Sequence, residues 1–320
     1  MTPSSQTDNS DRISFVSYLH YAKATGIYIG NEQQNIDNFI SNLKLKKSYS
    51  NINRKRDIDT EKISRLLRNA WFTEIQLSNL AKHKEFSQLS IHWAQVYCYY
   101  ACYLAIRSYF ISSNQKINNN HRDTLHAISQ EIDRRTDLFI MPFKILCEGN
   151  PYDKNEVNFK NVSSTPSYIN QLSNLTQGYY EDTYCQFLKT TRQKELDRLN
   201  SLWKEKNKKK RINSIAKNAN IQKLAATSIF DAIYRLRIRS NYETADAFTI
   251  DDISLTEAQE FHEALQKITN GCLLNLEILI QRYLSKSVFQ DIIEKFSKKK
   301  EIQKSMTNWL VERKKITKSI

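Results

Sequence analysis

IHWAQVYCYYACYLAIRSYFI, residues 91–111, is the longest apolar run of the chain, and either a bilayer or a protein core could be its solvent. Its length suits a bilayer. Its content does not, because His92, Gln95 and Arg107 interrupt it and five tyrosines bring hydroxyls that hydrocarbon leaves without partners. Taken as a helix starting near Ser90, it is apolar on nearly every face. Such a helix belongs in the middle of a bundle, with its neighbours packed all round it.

Outward from this helix the flanking sequence keeps helical spacing. Ile63, Leu66, Leu67, Ala70, Trp71 and Ile75 recur at three- and four-residue steps behind Asp59 or Thr60 as N-cap, predicting an amphipathic helix. Arg12 to Tyr28 predicts a first helix that stops near Gly26 to Gly30, after an unstructured leader over residues 1–11. SSNQKINNN breaks the chain after the central run, and HRDTLHAISQEI opens the next helix. Residues 148–178 hold Gly149, Pro151, Pro166 and Gly178 with little periodicity and predict a long loop. Tyr179 to Lys206 and Ile221 to Asn241 return to helical spacing, and Thr256 with Gln259 predicts a capping box for a helix to about Leu284. Val288 to Ile320 packs through Phe289, Ile292, Ile293, Phe296 and Trp309.

Only five glycines and four prolines occur in 320 residues, so tight turns are scarce and the expected class is all-α, an elongated helical bundle with an inserted loop-plus-helix segment. The segments are 1–58, an N-terminal helix and basic polar stretch; 59–147, the first half of the bundle; and 148–220, the insertion. Residues 221–284 form the second half and 285–320 a basic helical tail.

Net charge is +14 with a pI near 9.4, which makes a phosphate backbone the leading partner. The charge is clumped. Lys44, Lys46, Lys47, Arg54, Lys55 and Arg56 make a first cluster, and KEKNKKKR at 204–211, with Lys208, Lys209, Lys210 and Arg211, a second. Lys298 to Lys300 with Arg313 to Lys315 make a third, and all three are expected to contact phosphates, with Tyr49 stacking on unpaired bases. Five scattered cysteines, Cys98, Cys102, Cys147, Cys185 and Cys272, give no disulfide framework and suit buried positions in a reducing cytoplasm. The polar start, MTPSSQTDNSDR, shows no apolar signal, and no membrane partner is expected. No Cys-x-x-Cys, His-Glu-x-x-His, glycine-rich phosphate loop or nucleophile elbow is present, so no cofactor or metal is expected.

RLRIRSNYETAD, residues 235–246, carries three arginines on alternate positions. On a helix Arg235 and Arg239 share a face and Arg237 points away, so they form no single cluster. Arginines at a helix C-terminus also complement the macrodipole.

Residues 66–129, with Tyr99, Tyr100, Ala101, Ala105 and Arg107 followed by His121, resemble the aromatic helix and next-helix His of the HEPN superfamily of small helical bundles. RIRSNYETADAF and the following long helix, residues 237–280, are similar to that family's later Arg, three residues, Asn and Tyr, here Arg237, Asn241 and Tyr242. About ninety residues, 130–220, intervene. The resemblance implies a HEPN-like bundle acting in prokaryotic antiviral defence or toxin–antitoxin systems, on RNA rather than DNA, as a homodimer or with a companion subunit. HEPN ribonucleases carry Arg, four to six residues, then His. No Arg here has that spacing: Arg122 and His126 are one residue short, and from Arg237 the His would fall on Tyr242, Glu243 or Thr244.

The leading expectation is therefore an RNA-binding effector or accessory protein. Metal-independent RNA cleavage is the alternative, and requires His121 or His126 to meet Arg237 or Arg239 in space, His as acid or base and Arg on the phosphate charge. A helical adaptor between proteins is the third. Arg107, a charge in an apolar helix, is expected to meet a carboxylate or line a polar cleft with Asn241 and Tyr242.

Overall fold

A computed structural model describes residues 4–33, 36–54, 57–162, 177–240, 253–298 and 313–316. In chain order the elements are α1 (Ser4–Gln33), α2 (Ile36–Lys44), α3 (Lys47–Ser50), α4 (Thr60–Lys82), α5 (Lys84–Ser87), α6 (Ile91–Ser112) and α7 (His121–Arg134). The hairpin of β1 (Leu146–Glu148) and β2 (Asn158–Lys160) follows, then α8 (Gln177–Lys206), α9 (Ser214–Lys223), α10 (Ile229–Ile238), α11 (Leu255–Tyr283) and α12 (Lys286–Ser297). The class is all-α. Among the described residues the sheet is confined to β1 and β2, antiparallel with Cys147 opposite Phe159.

The run at 91–111 is the buried core helix α6, with α4, α11 and α10 packed against it. Ala94, Ala101 and Ala105 are fully buried on it, and such small side chains let neighbouring helices approach while Tyr99, Tyr109 and Phe110 fill the space between. Among the described residues no helix is long and apolar enough to cross a membrane. All five cysteines are buried and none is in a disulfide. Asp59 caps α4, its Oδ1 accepting from the Lys62 backbone N–H at 2.9 Å.

Several elements differ from their sequence pattern. α1 runs unbroken from Ser4 to Gln33, so the expected leader is already helical by Ser4 and the glycines do not stop the helix. Gly26 faces α11, where a methyl group would sit 3.1 Å from the Ala264 Cα. It marks a close crossing of two helices. The expected loop at 148–178 begins on the last residue of β1 and contains β2, and its stretch 163–176 lies outside the described residues. Gly149 turns the chain out of β1 at φ 75°, where a Cβ would strike the Glu156 carbonyl at 1.9 Å.

The helix expected over 221–241 is two helices. Between them Thr227 exchanges backbone hydrogen bonds with Cys147, N to O at 2.8 and 2.9 Å, and Ser228 with Asp231 then caps α10. The capping box of α11 falls at Ser254 and Glu257, two residues before the expected pair, and Arg12 also donates to Glu257 at 2.5 Å. A carboxylate at a helix start gains from the dipole as Gln259 would not.

The third basic cluster is corrected at Arg313, which has no exposed surface. Its guanidinium donates to Glu74 at 2.8 Å and Glu277 at 3.1 Å, and the Trp71 indole N–H donates to Glu277 at 2.7 Å. These bonds pin residues 313–316 onto α4 and α11, since each buried charge needs the others. Lys299 and Lys300 lie outside the described residues.

Candidate nucleic-acid interface

His121 opens α7 behind Asn120, whose side chain accepts from the Asp123 backbone N–H at 2.8 Å. That cap fixes the first turn of α7 against α6, and the imidazole meets a wall of tyrosines. Its Nδ1 lies 2.5 Å from the Tyr99 hydroxyl. Its ring centroid is 4.5 Å from Tyr103, 6.1 Å from Tyr100 and 6.1 Å from Tyr234, nearly parallel to the last at 23°.

Two guanidinium groups flank this ring. Arg107, one further step along the face carrying Tyr99 and Tyr103, lies 5.9 Å over the Tyr103 ring, donates to its hydroxyl at 3.2 Å and to Asn119 Oδ1 at 2.5 Å. It meets no carboxylate among the described residues, and its buried Nε has no acceptor. Arg237, on α10 and 9% exposed, sits 5.5, 5.3 and 5.9 Å over the rings of Tyr99, Tyr100 and Tyr234 and donates to the Tyr100 hydroxyl at 3.3 Å. The π faces offset the cost of burying this cation.

Burial lowers the His121 pKa, and the positive charges of Arg237 and then Arg107 lower it further, so the ring is neutral at neutral pH. The Tyr99 hydroxyl is pushed upward chiefly by desolvation and stays protonated. A neutral imidazole between two cations, with protonated hydroxyls around it, is equipped to bind a phosphodiester and to exchange a proton with it.

The other predicted residues have different surroundings. Arg239 stacks 4.5 Å over Tyr18 and donates to its hydroxyl at 2.7 Å and to Ser14 at 2.5 Å, so it anchors α1. His126 is exposed, and its Nε2 accepts from the Gln130 side-chain amide at 2.7 Å. With Arg122 and Arg235 it lines a separate cavity of about 470 Å³. Asn241 and Tyr242, the expected cleft partners of Arg107, lie outside the described residues, as do Lys55 and Arg56. Lys46, Lys47 and Arg54 are exposed, as are Lys208, Lys209, Lys210 and Arg211 on the turn after α8. Tyr49 is corrected: it is buried beneath Arg282, whose guanidinium lies 5.7 Å over the ring, and burial raises its hydroxyl to about 12. It has no face left for a base.

No family model, curated protein or solved structure matches this chain. The HEPN resemblance thus stands on residues 66–129 and 237–280 alone.

Sequence inspection did not single out Tyr103, Tyr234 or Asn119 for this site. A signal was there: Tyr99, Tyr103 and Arg107 recur every four residues, and Tyr234 precedes Arg237 by three, spacings that stack side chains on one helix face.

Proposed function

We propose that the protein binds single-stranded RNA across Arg107, His121 and Arg237, as an effector or accessory component of a HEPN-like antiviral or toxin–antitoxin system. The observation that supports it is the convergence of two cations and a neutral imidazole on one tyrosine-lined surface, from helices 137 residues apart along the chain at the Arg237–Tyr100 contact. Phosphate charge is held by the guanidinium groups, and unpaired bases find the partly exposed rings of Tyr100 and Tyr234 beside them. Exposed Lys208 to Arg211 extend the electrostatic footprint. Fluorescence anisotropy of a labelled single-stranded RNA, titrated at several salt concentrations, tests the reading. Binding that weakens steeply with salt, and about tenfold or more in the Arg107→Ala, Arg237→Ala double variant, is expected. Binding that ignores both salt and the double variant sinks it.

The lowered pKa of His121 favours a second reading, metal-independent cleavage. In the tautomer whose Nδ1–H donates to the Tyr99 oxygen, Nε2 accepts the 2′-hydroxyl proton as that oxygen attacks the adjacent phosphorus, and the 5′-oxygen leaves with a proton from water while the imidazolium returns its own to solvent, producing a 2′,3′-cyclic phosphate and a 5′-hydroxyl. Arg237 and Arg107 stabilise the charge that grows on the phosphoryl oxygens. RNA incubated with chelator should yield cyclic-phosphate ends, and His121→Gln should abolish them. Intact RNA after prolonged incubation removes cleavage and leaves binding in place.

A further inference from the structure

The cavity of about 470 Å³ and the His121 cluster share a wall. Tyr234 lines the cavity and also lies nearly parallel to His121, 5.2 Å from the Tyr99 ring and 5.9 Å beneath Arg237. Arg122 follows His121 on α7, and Arg235 and Ile238 flank Arg237 on α10, so two of the three helices that build the cluster also line the cavity.

Its lining is chemically divided. Leu125, Leu199 and Ile238 supply apolar surface beside the Tyr234 ring. Asp231 supplies a fixed carboxyl: Oδ2 accepts from the Ser228 backbone N–H at 2.8 Å, the Ser228 hydroxyl at 2.8 Å and the Ser129 hydroxyl at 3.1 Å. Oδ1 has no donor among the described residues. Arg198 is neutralised by Glu195 through two bonds of 2.8 and 2.5 Å. Exposed Arg122 and Lys223, by contrast, make no ion pair among the described residues, and Arg122 stands beside the His121 cluster.

A flat apolar ring, a donor edge and one negative charge are what such a lining complements, and its volume is in the range of ligand pockets. We propose that the cavity takes one unpaired nucleotide, its base packed against Tyr234, Leu125 and Leu199, its amino edge on Asp231 and its phosphate at Arg122. The nucleotide is assigned to the RNA strand held at Arg107, His121 and Arg237, because Tyr234 joins the two places. That source rests on the RNA-binding reading; the chemistry of the pocket does not. Bases splayed from a strand are commonly recognised in this way, by stacking and by hydrogen bonds to their edges.

The test uses the full chain and a twelve-nucleotide single-stranded RNA carrying one 2-aminopurine, moved through successive positions. Leu199→Trp fills the cavity from a half-exposed position, and Arg122→Ala removes the guanidinium charge at an exposed one where folding is undisturbed. At one position the fluorescence should change on binding, and the 5′-monophosphates of adenosine, cytidine and guanosine, whose bases carry an amino group, should compete for that change. Leu199→Trp should abolish the change and Arg122→Ala weaken strand binding by about fivefold. Strand binding that depends on Arg107 and Arg237 while no position responds to either cavity variant overturns the pocket and spares the RNA reading. Monophosphates that bind the wild-type chain but not Leu199→Trp, with no strand binding at all, support the pocket and discard the strand as its source. If neither strand nor monophosphate binds, both readings fall together.

Discussion

Arg235 and Arg237 on α10 and Arg239 at its C-cap occupy alternate positions, yet each serves a different environment. Arg235 lines the cavity, Arg237 lies among three tyrosine rings, and Arg239 stacks on Tyr18. The charge of Arg237 acts on His121, which gives a direct measurement. Replacing Arg237 with Gln should raise the His121 pKa toward its ordinary 6.5, read from the imidazole proton shifts in an NMR titration. Arg107→Gln should raise it by less, and an unmoved titration in both would mean the cations do not face the ring. Asp231 offers a second test. Desolvation raises its pKa from 3.8 to about 6 against the hydrogen bonds from Ser228 and Ser129, with Glu195 adding repulsion. The folded chain then holds a proton that the unfolded chain has lost, so stability contributed by this group is present below 3.8 and declines as pH rises to about 6. Urea midpoints across that window should show the decline, and Asp231→Asn should flatten it.

At the scale of elements, α1 and α11 depend on Gly26. A side chain there meets the Ala264 backbone at 3.1 to 3.2 Å, and backbone cannot rotate aside as a flexible side chain can. Gly26→Val should lower the unfolding free energy by about 1 to 3 kcal/mol through overpacking, in denaturant titration. An unchanged midpoint would mean the helices can separate there without loss. The same helix shows why composition misled. Glycine in sequence reads as a stop, and its other use, bringing two backbones together, shows itself when the partner helix is in place. The split of 221–241 has a similar origin, because Thr227 pairs with Cys147 across the molecule and takes the chain out of helical geometry. Asp59, by contrast, caps α4 through its own neighbour Lys62, a local interaction that the sequence pattern carries directly.

Across the whole molecule, the bundle closes through charges from opposite ends of the chain. Arg313, Glu74 and Glu277 have almost no solvent contact, so removing the cation leaves two carboxylates facing each other in the core. Arg313→Met should cost about 3 to 5 kcal/mol by chemical denaturation, and adding Glu277→Gln should recover part of it. Equal stability of all three proteins would show that the C-terminal residues do not seal the bundle. The surface behaves otherwise. Lys208, Lys209, Lys210 and Arg211 are exposed and make no ion pair among the described residues. Replacing all four by Ala should leave the melting temperature alone while reducing the log–log salt dependence of RNA binding by roughly 0.7 for each phosphate that is no longer neutralised.

Helix class, the central place of residues 91–111, the Asp59 cap and the start of α7 at His121 were all legible from residue order, because each rests on interactions among residues a turn or two apart. The meeting of His121 with Arg107 and Arg237, the burial of Tyr49 and Arg313, and the cavity behind Tyr234 were not. Helical periodicity tells which side chains share a face; it carries no information about which distant face that one will press against. A guanidinium group takes its role from the partner it meets, and here tyrosines from α6 and α10, a serine and a tyrosine from α1, and glutamates from α4 and α11 made that choice.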